Sequence, residues 1–160
     1  MPDGADRQRS CRPGGRGAAI LGGMTLSAHA LLLLNAQRHD LDDRPDERSV
    51  ARDWAHHVAQ ARAQGWVVAF VQWDAPHGAN WDTFSKEWTL HPDFRAEQGD
   101  VLVRAEMPDA FEGSELAAQL HARAVQSLHL LALSGTPALD ATLASAQGQG
   151  FRVESLEVPA

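Results

Sequence analysis

The stretch Ser127-Leu-His-Leu-Leu-Ala-Leu133, Ser134-Gly-Thr-Pro-Ala138 and onward through Gly150 to Phe151-Arg-Val-Glu-Ser-Leu-Glu-Val158 decides the fold. Ser127–Leu133 is an almost unbroken apolar run, as expected of a strand buried on both faces. Thr136-Pro137 is a helix start, a hydroxyl N-cap followed by proline at the first helical position. Leu139, Leu143 and Ala146 repeat at helical spacing, Gly148 and Gly150 stop the helix, and Phe151–Val158 is again β-rich. A strand, a crossover helix and a second strand make one unit of a parallel sheet.

The same alternation extends toward the N-terminus. Ala30–Leu34 is a continuous apolar run and reads as a strand. Arg48–Gln64 carries Val50, Trp54, Val58 and Ala61 on one helical face, with Gly65 at its C-terminal stop. Trp66–Trp73 is a second strand and Val101–Val103 a third. Ser114 is expected to cap a helix that buries Leu116 and Leu120. Asp74–Gly99 is polar and contains Pro76, Gly78 and Pro92. It reads as a long loop with one short turn of helix, and loops of that length are usually functional. There are no internal repeats. The prediction is a three-layer α/β/α sandwich with a mostly parallel five-stranded sheet, ordered 3-2-1-4-5 by strand number and truncated at its C-terminal end. Residues 24–160 form the domain. In such sheets ligands bind at the carboxyl ends of the strands.

Composition narrows the function. The chain has 160 residues, 44% of them apolar, and a formal charge of −7 from 14 Lys+Arg and 21 Asp+Glu. One cysteine, Cys11, rules out a disulfide scaffold and a cysteine-rich zinc site. An acidic balance argues against nucleic acid as the main partner, because phosphate binding needs a basic face. Residues 1–23 are rich in Gly, Arg and Pro, lack apolar periodicity and are expected to be a disordered tail. Ala18–Leu21 is too short for the apolar core of a signal peptide, and no run is long enough to cross a bilayer. A cytoplasmic protein is expected.

Four motifs at the strand ends carry a resemblance. The first strand leads into Asn35-Ala36-Gln37. Glu87-Trp88-Thr89-Leu90-His91-Pro92 is followed after six residues by Gly99-Asp100. Val101–Arg104 leads to Asp109-Ala110-Phe111-Glu112-Gly113-Ser114-Glu115-Leu116. Ala138-Leu139-Asp140-Ala141-Thr142 is followed by Ala146 and Gly150-Phe151. In this order and spacing, from about Ala30 to Val158, the chain resembles the isochorismatase-like cysteine hydrolases, the nicotinamidase/isochorismatase superfamily. The resemblance implies a catalytic Asp, Lys and Cys, with the Asp taking the thiol proton and the thiolate attacking a carbonyl or imine carbon. At the matching positions this chain has Asn35, Ala105 and Ala138. None can serve as base, cation or nucleophile, so the chain is expected to be a catalytically degenerate member that binds a small molecule or a partner. The alternative is an active hydrolase of small amides or related C–N or ether substrates, using water in place of the thiol and assisted by a metal.

The expected pocket draws on Gln37, Trp73, Trp88, Arg104, Phe111, Ser134 and Thr136. No cofactor is required. If a divalent metal binds, Asp74 and His77 are the expected ligands, with His39 and His91 near the same strand ends. His56 and His57 are adjacent on a helix and read as surface residues. Cys11 lies outside the domain and has no fixed geometry for catalysis. Trp73, Trp81, Phe84 and Trp88 cluster around the long loop and read as an interface or as packing on the body. Beyond the fifth strand the family continues with a further helix and strand that this sequence lacks. One sheet edge is therefore expected to be open, and a homodimer or higher homo-oligomer to cover it.

Overall fold

The computed structural model describes residues 19–21 and 24–160. The tail expected at 1–23, with Cys11 in it, lies outside the described residues except for Ala19–Leu21. Those three residues form β1, which pairs antiparallel with β2, Met24–Leu26.

The body is a five-stranded sheet. Its strands are β3 (His29–Leu33), β4 (Val67–Trp73), β5 (Val101–Ala105), β6 (Ser127–Ser134) and β7 (Arg152–Pro159). Their spatial order is β5-β4-β3-β6-β7, and all four pairings are parallel. This is the order expected from the alternating pattern, with β3 as the first strand of the domain. Central strands β3, β4 and β6 are apolar on both faces because helices cover both.

The helices are α1 (Arg38–Leu41), α2 (Glu47–Ala63), α3 (Leu116–Ala122) and α4 (Pro137–Gly148). On one face, Val50, Trp54 and Val58 of α2 pack on Leu31, Leu33, Val68 and Phe70. On the other, Leu116, Leu120, Leu139 and Ala146 pack on Leu32, Ala69, Val103 and Leu130. Alternation along each strand sends successive side chains to opposite layers. In β5 that leaves Leu102 and Arg104 exposed while Val101, Val103 and Ala105 are buried.

Local signals behaved as their chemistry requires at two helix ends. Thr136 Oγ1 accepts from the Leu139 N–H at 3.4 Å, with Pro137 opening α4. Gly65, at φ 78°, reverses the chain after α2, a left-handed conformation that glycine adopts without a Cβ penalty. Three local expectations are corrected. The N-cap of α3 is Glu115; the Ser114 hydroxyl accepts from Leu116 N–H at 3.2 Å from one position further out. The loop Asp74–Gly99 contains hydrogen-bonded turns and no helical turn. The helix α1 was not expected, since four residues are too few to show a period.

Candidate functional site

The carboxyl ends of β3, β4, β5 and β6 lie along one edge of the sheet, and the long loop is tied to the residues after β3 by a Gln37–Leu90 bridge. Four polar residues attach the loops to the body. Gln37 is fully buried. Its Nε2 donates to the carbonyls of Trp73 (3.2 Å) and Trp88 (2.7 Å), and its Oε1 accepts from the Trp73 N–H (2.7 Å). His39 Nε2 lies 3.0 Å from the same oxygen, so that nitrogen carries the proton. His91 Nδ1 accepts from the Asp93 N–H at 3.2 Å, which leaves Nε2 to donate to Glu47 at the start of α2, at 2.6 Å. Asp100 pairs with Arg62 of α2 at 2.5 Å. Thr142 of α4 is fully buried, and its hydroxyl accepts from the Ala110 N–H at 3.1 Å.

The positions at which the resemblance expects chemistry are built differently. Asn35 is buried, its Oδ1 accepting from the Leu133 N–H at 2.8 Å and its Nδ2 donating to Asp40 Oδ1 at 3.3 Å. The side chain therefore braces β3 against β6. Ala105 and Ala138 are both buried methyl groups. Arg104, next to Ala105, turns to the other face of the sheet and grips both oxygens of Asp74, at 3.1 and 2.8 Å. The exposed Phe84 ring lies 4.7 Å from its guanidinium carbon.

The residues expected to line a pocket divide into two groups. Gln37, Trp73 and Phe111 are interior: Gln37 has its hydrogen-bonding capacity filled, Trp73 Nε1 donates to the Leu34 carbonyl at 2.6 Å, and Phe111 packs on Phe151. Trp88, Arg104, Ser134 and Thr136 are at least partly accessible. Trp81 stacks on His39 with ring centroids 3.8 Å apart, and Phe84 meets Trp88 edge-on at 5.0 Å. Most of the aromatic cluster is thus packed on the body, with Phe84 projecting outward. His57 is half-buried, with its Nε2 3.8 Å from Asp53, and His56 is exposed.

Asp40 is the residue that sequence reading missed. The α1 turn carries its side chain back beside Asn35, where it is only 10% exposed. Oδ2 is buried without a partner. Burial raises the Asp40 carboxyl to about 7, against the smaller opposing effects of the Asn35 side chain and the Gln37 backbone. Burial likewise lowers its neighbour His39 to about 4. Nothing in Gln37-Arg-His-Asp40 marks this carboxylate as different from an ordinary loop acid.

The expected metal ligands do not assemble. Asp74 is committed to Arg104 and His77 is exposed. Among the described residues one group of three side chains could hold an ion, and it consists of Asp42, Glu47 and His91. No helix among the described residues is long and apolar enough to cross a membrane.

Comparison with known proteins follows this geometry. The isochorismatase domain profile matches residues 29–154, and the chain belongs to that family. An isochorismatase-like protein from Burkholderia xenovorans LB400 is 29% identical with a TM-score of 0.71, over 82% of this chain and 66% of that one. This chain thus spans slightly under two thirds of that protein's length. N-carbamoylsarcosine amidase from Thermoplasma acidophilum superposes with a TM-score of 0.74 at 16% identity, covering 81% of this chain and 82% of that one. Pyrazinamidase of Pyrococcus horikoshii, solved in complex with zinc, gives a TM-score of 0.68 at 16% identity, over 81% and 83% of the two chains. Among curated proteins no sequence matches. The fold is that of the isochorismatase-like hydrolases.

Proposed function

We propose that this chain does not carry out thiol hydrolysis and acts instead by binding a small molecule at the carboxyl ends of the strands. The reading is carried by Asn35. Its amide oxygen accepts from the Leu133 N–H and its nitrogen donates to Asp40, and an amide cannot take a thiol proton. Ala105 and Ala138 support it, since a methyl group supplies neither charge nor nucleophile. The ligand would meet the accessible faces of Trp88, Arg104, Ser134 and Thr136. A cytoplasmic location belongs to the same reading, and so does self-association, supported by the largely exposed edge strand β7.

A thermal-shift series with nicotinamide-like compounds and small carboxamides tests it. A binder at a hundred times its Kd stabilises by about 2.7 kcal/mol, a rise in Tm of roughly 5–10 °C for a domain of this size. The rise should be lost in Arg104→Ala, and no ammonia should be released from the carboxamide. No shift with any compound, or steady ammonia release, would contradict the proposal.

Asp40 favours a second reading, hydrolysis by water. A buried carboxyl near pH 7 with a free oxygen has the properties of a general base. Turnover that survives Cys11→Ser and is abolished by Asp40→Asn would select this reading.

A further inference from the structure

We infer that Asp42, Glu47 and His91 form a divalent-cation site on the α2 side of the strand ends, separate from the Asn35 region. Their ligand atoms, one from each side chain, lie within 4.8 Å of one another. One imidazole and two carboxylates present two negative charges and a borderline nitrogen donor, a set suited to zinc, manganese or iron.

Two features go beyond a cluster of acids. The imidazole is buried, 4% exposed, and its backbone is pinned by a 2.8 Å hydrogen bond from His91 N–H to the Ala36 carbonyl. The histidine is therefore already positioned. Behind it, Nδ1 accepts from the Asp93 N–H at 3.2 Å, and the Asp93 carboxylate stands 4.0 Å away, beyond hydrogen-bond reach. Metal-bound histidines almost always donate their second N–H to an outer carboxylate, so metal binding would exchange the one partner for the other. In front is a hollow of about 470 Å³ lined by Glu47, Arg48, Arg52, His91, Pro92 and Asp93, which leaves room for water or a ligand at the remaining coordination positions.

The cation would take the place of the proton that now joins His91 Nε2 to Glu47. For the ring to stay neutral its proton must move to Nδ1, which then gives up the Asp93 N–H it now accepts and needs the Asp93 carboxylate to close in from 4.0 Å; both ligand carboxylates stay ionised. Arg38, 3.7 Å from Asp42, must release that carboxylate. Arg48 and Arg52 at the mouth would favour an anionic ligand on the metal's open face. The inference does not depend on the small-molecule reading above, because none of the three side chains is among the residues expected to meet that ligand.

The test is calorimetric titration of the tag-free full chain with Zn²⁺ and with Mn²⁺. One saturable site per chain is expected, with affinity reduced at least about tenfold in Asp42→Asn and in Glu47→Gln, each of which removes one ligand charge. Asp42 is exposed, so its variant should keep the fold even if His91→Ala does not. His77→Ala should bind as the unaltered chain does. Absence of a saturable site with either metal, binding that survives both Asp42→Asn and Glu47→Gln, or binding lost in His77→Ala would overturn the inference.

Discussion

Two sets of residues at the strand ends have separate fates. Gln37, His91, Asp100 and Thr142 each tie a loop to the body through at least one hydrogen bond to a named partner. Asn35, Ala105 and Ala138 include no group able to ionise near neutral pH. The first set lets the chain resemble its family, and the second is where the resemblance assigns the chemistry. A sequence pattern can persist because it folds the loops, whatever has become of the reaction. Fold and activity have to be argued from different residues.

The largest effect should come from the first set. Gln37→Ala strands the buried Trp73 N–H and carbonyl, each such orphan costing about 1–3 kcal/mol, and frees the part-buried Trp88 carbonyl. Chemical denaturation should show a loss of roughly 3–5 kcal/mol. A loss below about 1 kcal/mol would mean that the staple does not hold the loop.

Next in size is a pH effect at Asp40. The folded chain keeps the Asp40 proton up to about pH 7, whereas an unfolded chain releases it near 3.8, so this group's contribution falls as pH rises between those values. His39 has the opposite slope. It stays neutral in the fold down to about 4 while the unfolded chain protonates it below 6.5, so stability falls as pH drops through that window. The two slopes cancel between about pH 4 and 6.5. Asp40→Asn removes one of them, and the variant's stability relative to the unaltered chain should rise by ~1.4 kcal/mol per pH unit over that range. Parallel stability–pH curves for the two proteins would show that Asp40 is not buried as described. Asn35→Asp sharpens the same point. It sets a second carboxylate where the amide now stands 3.3 Å from Asp40, and should destabilise at pH 8 much more than at pH 5.

A smaller effect is expected at Arg62→Ala. Its Glu97 partner is 61% exposed and adds little, but its Asp100 partner is 7% exposed, so the loss should be about 1–3 kcal/mol, read as a drop in Tm and faster proteolysis near Gly99. Smallest of all is Ala138→Cys, within about 1 kcal/mol. With Asn35 standing where the resemblance expects the base, the introduced thiol should be alkylated no faster than an ordinary one of pKa near 8.5.

Most of the architecture could be read in the sequence because it depends on repeated, short-range signals. Val67–Val71 is apolar without interruption, Leu128–Leu133 is broken only by His129, and Thr136-Pro137 fixes a helix start by chemistry alone. The site was less legible. Gln37 and Trp73 were expected to line a pocket, yet their polar atoms are spent inside the protein, a distinction set by partners 36 and 51 residues away. Asp40 became visible only once a four-residue helix, too short to have a period, turned it back over Asn35. The His91–Glu47 contact spans 44 residues and joins a loop to a helix start, a juxtaposition that no local pattern encodes.

The central claim is that scaffold and thiol chemistry have come apart in this chain. Steady-state ammonia release from a panel of small carboxamides, measured on the unaltered chain and on Cys11→Ser, tests it most directly. The account predicts that neither protein exceeds the buffer rate, even with a compound that raises Tm. Saturable ammonia release by the unaltered chain, whether or not it persists in Cys11→Ser, would contradict it.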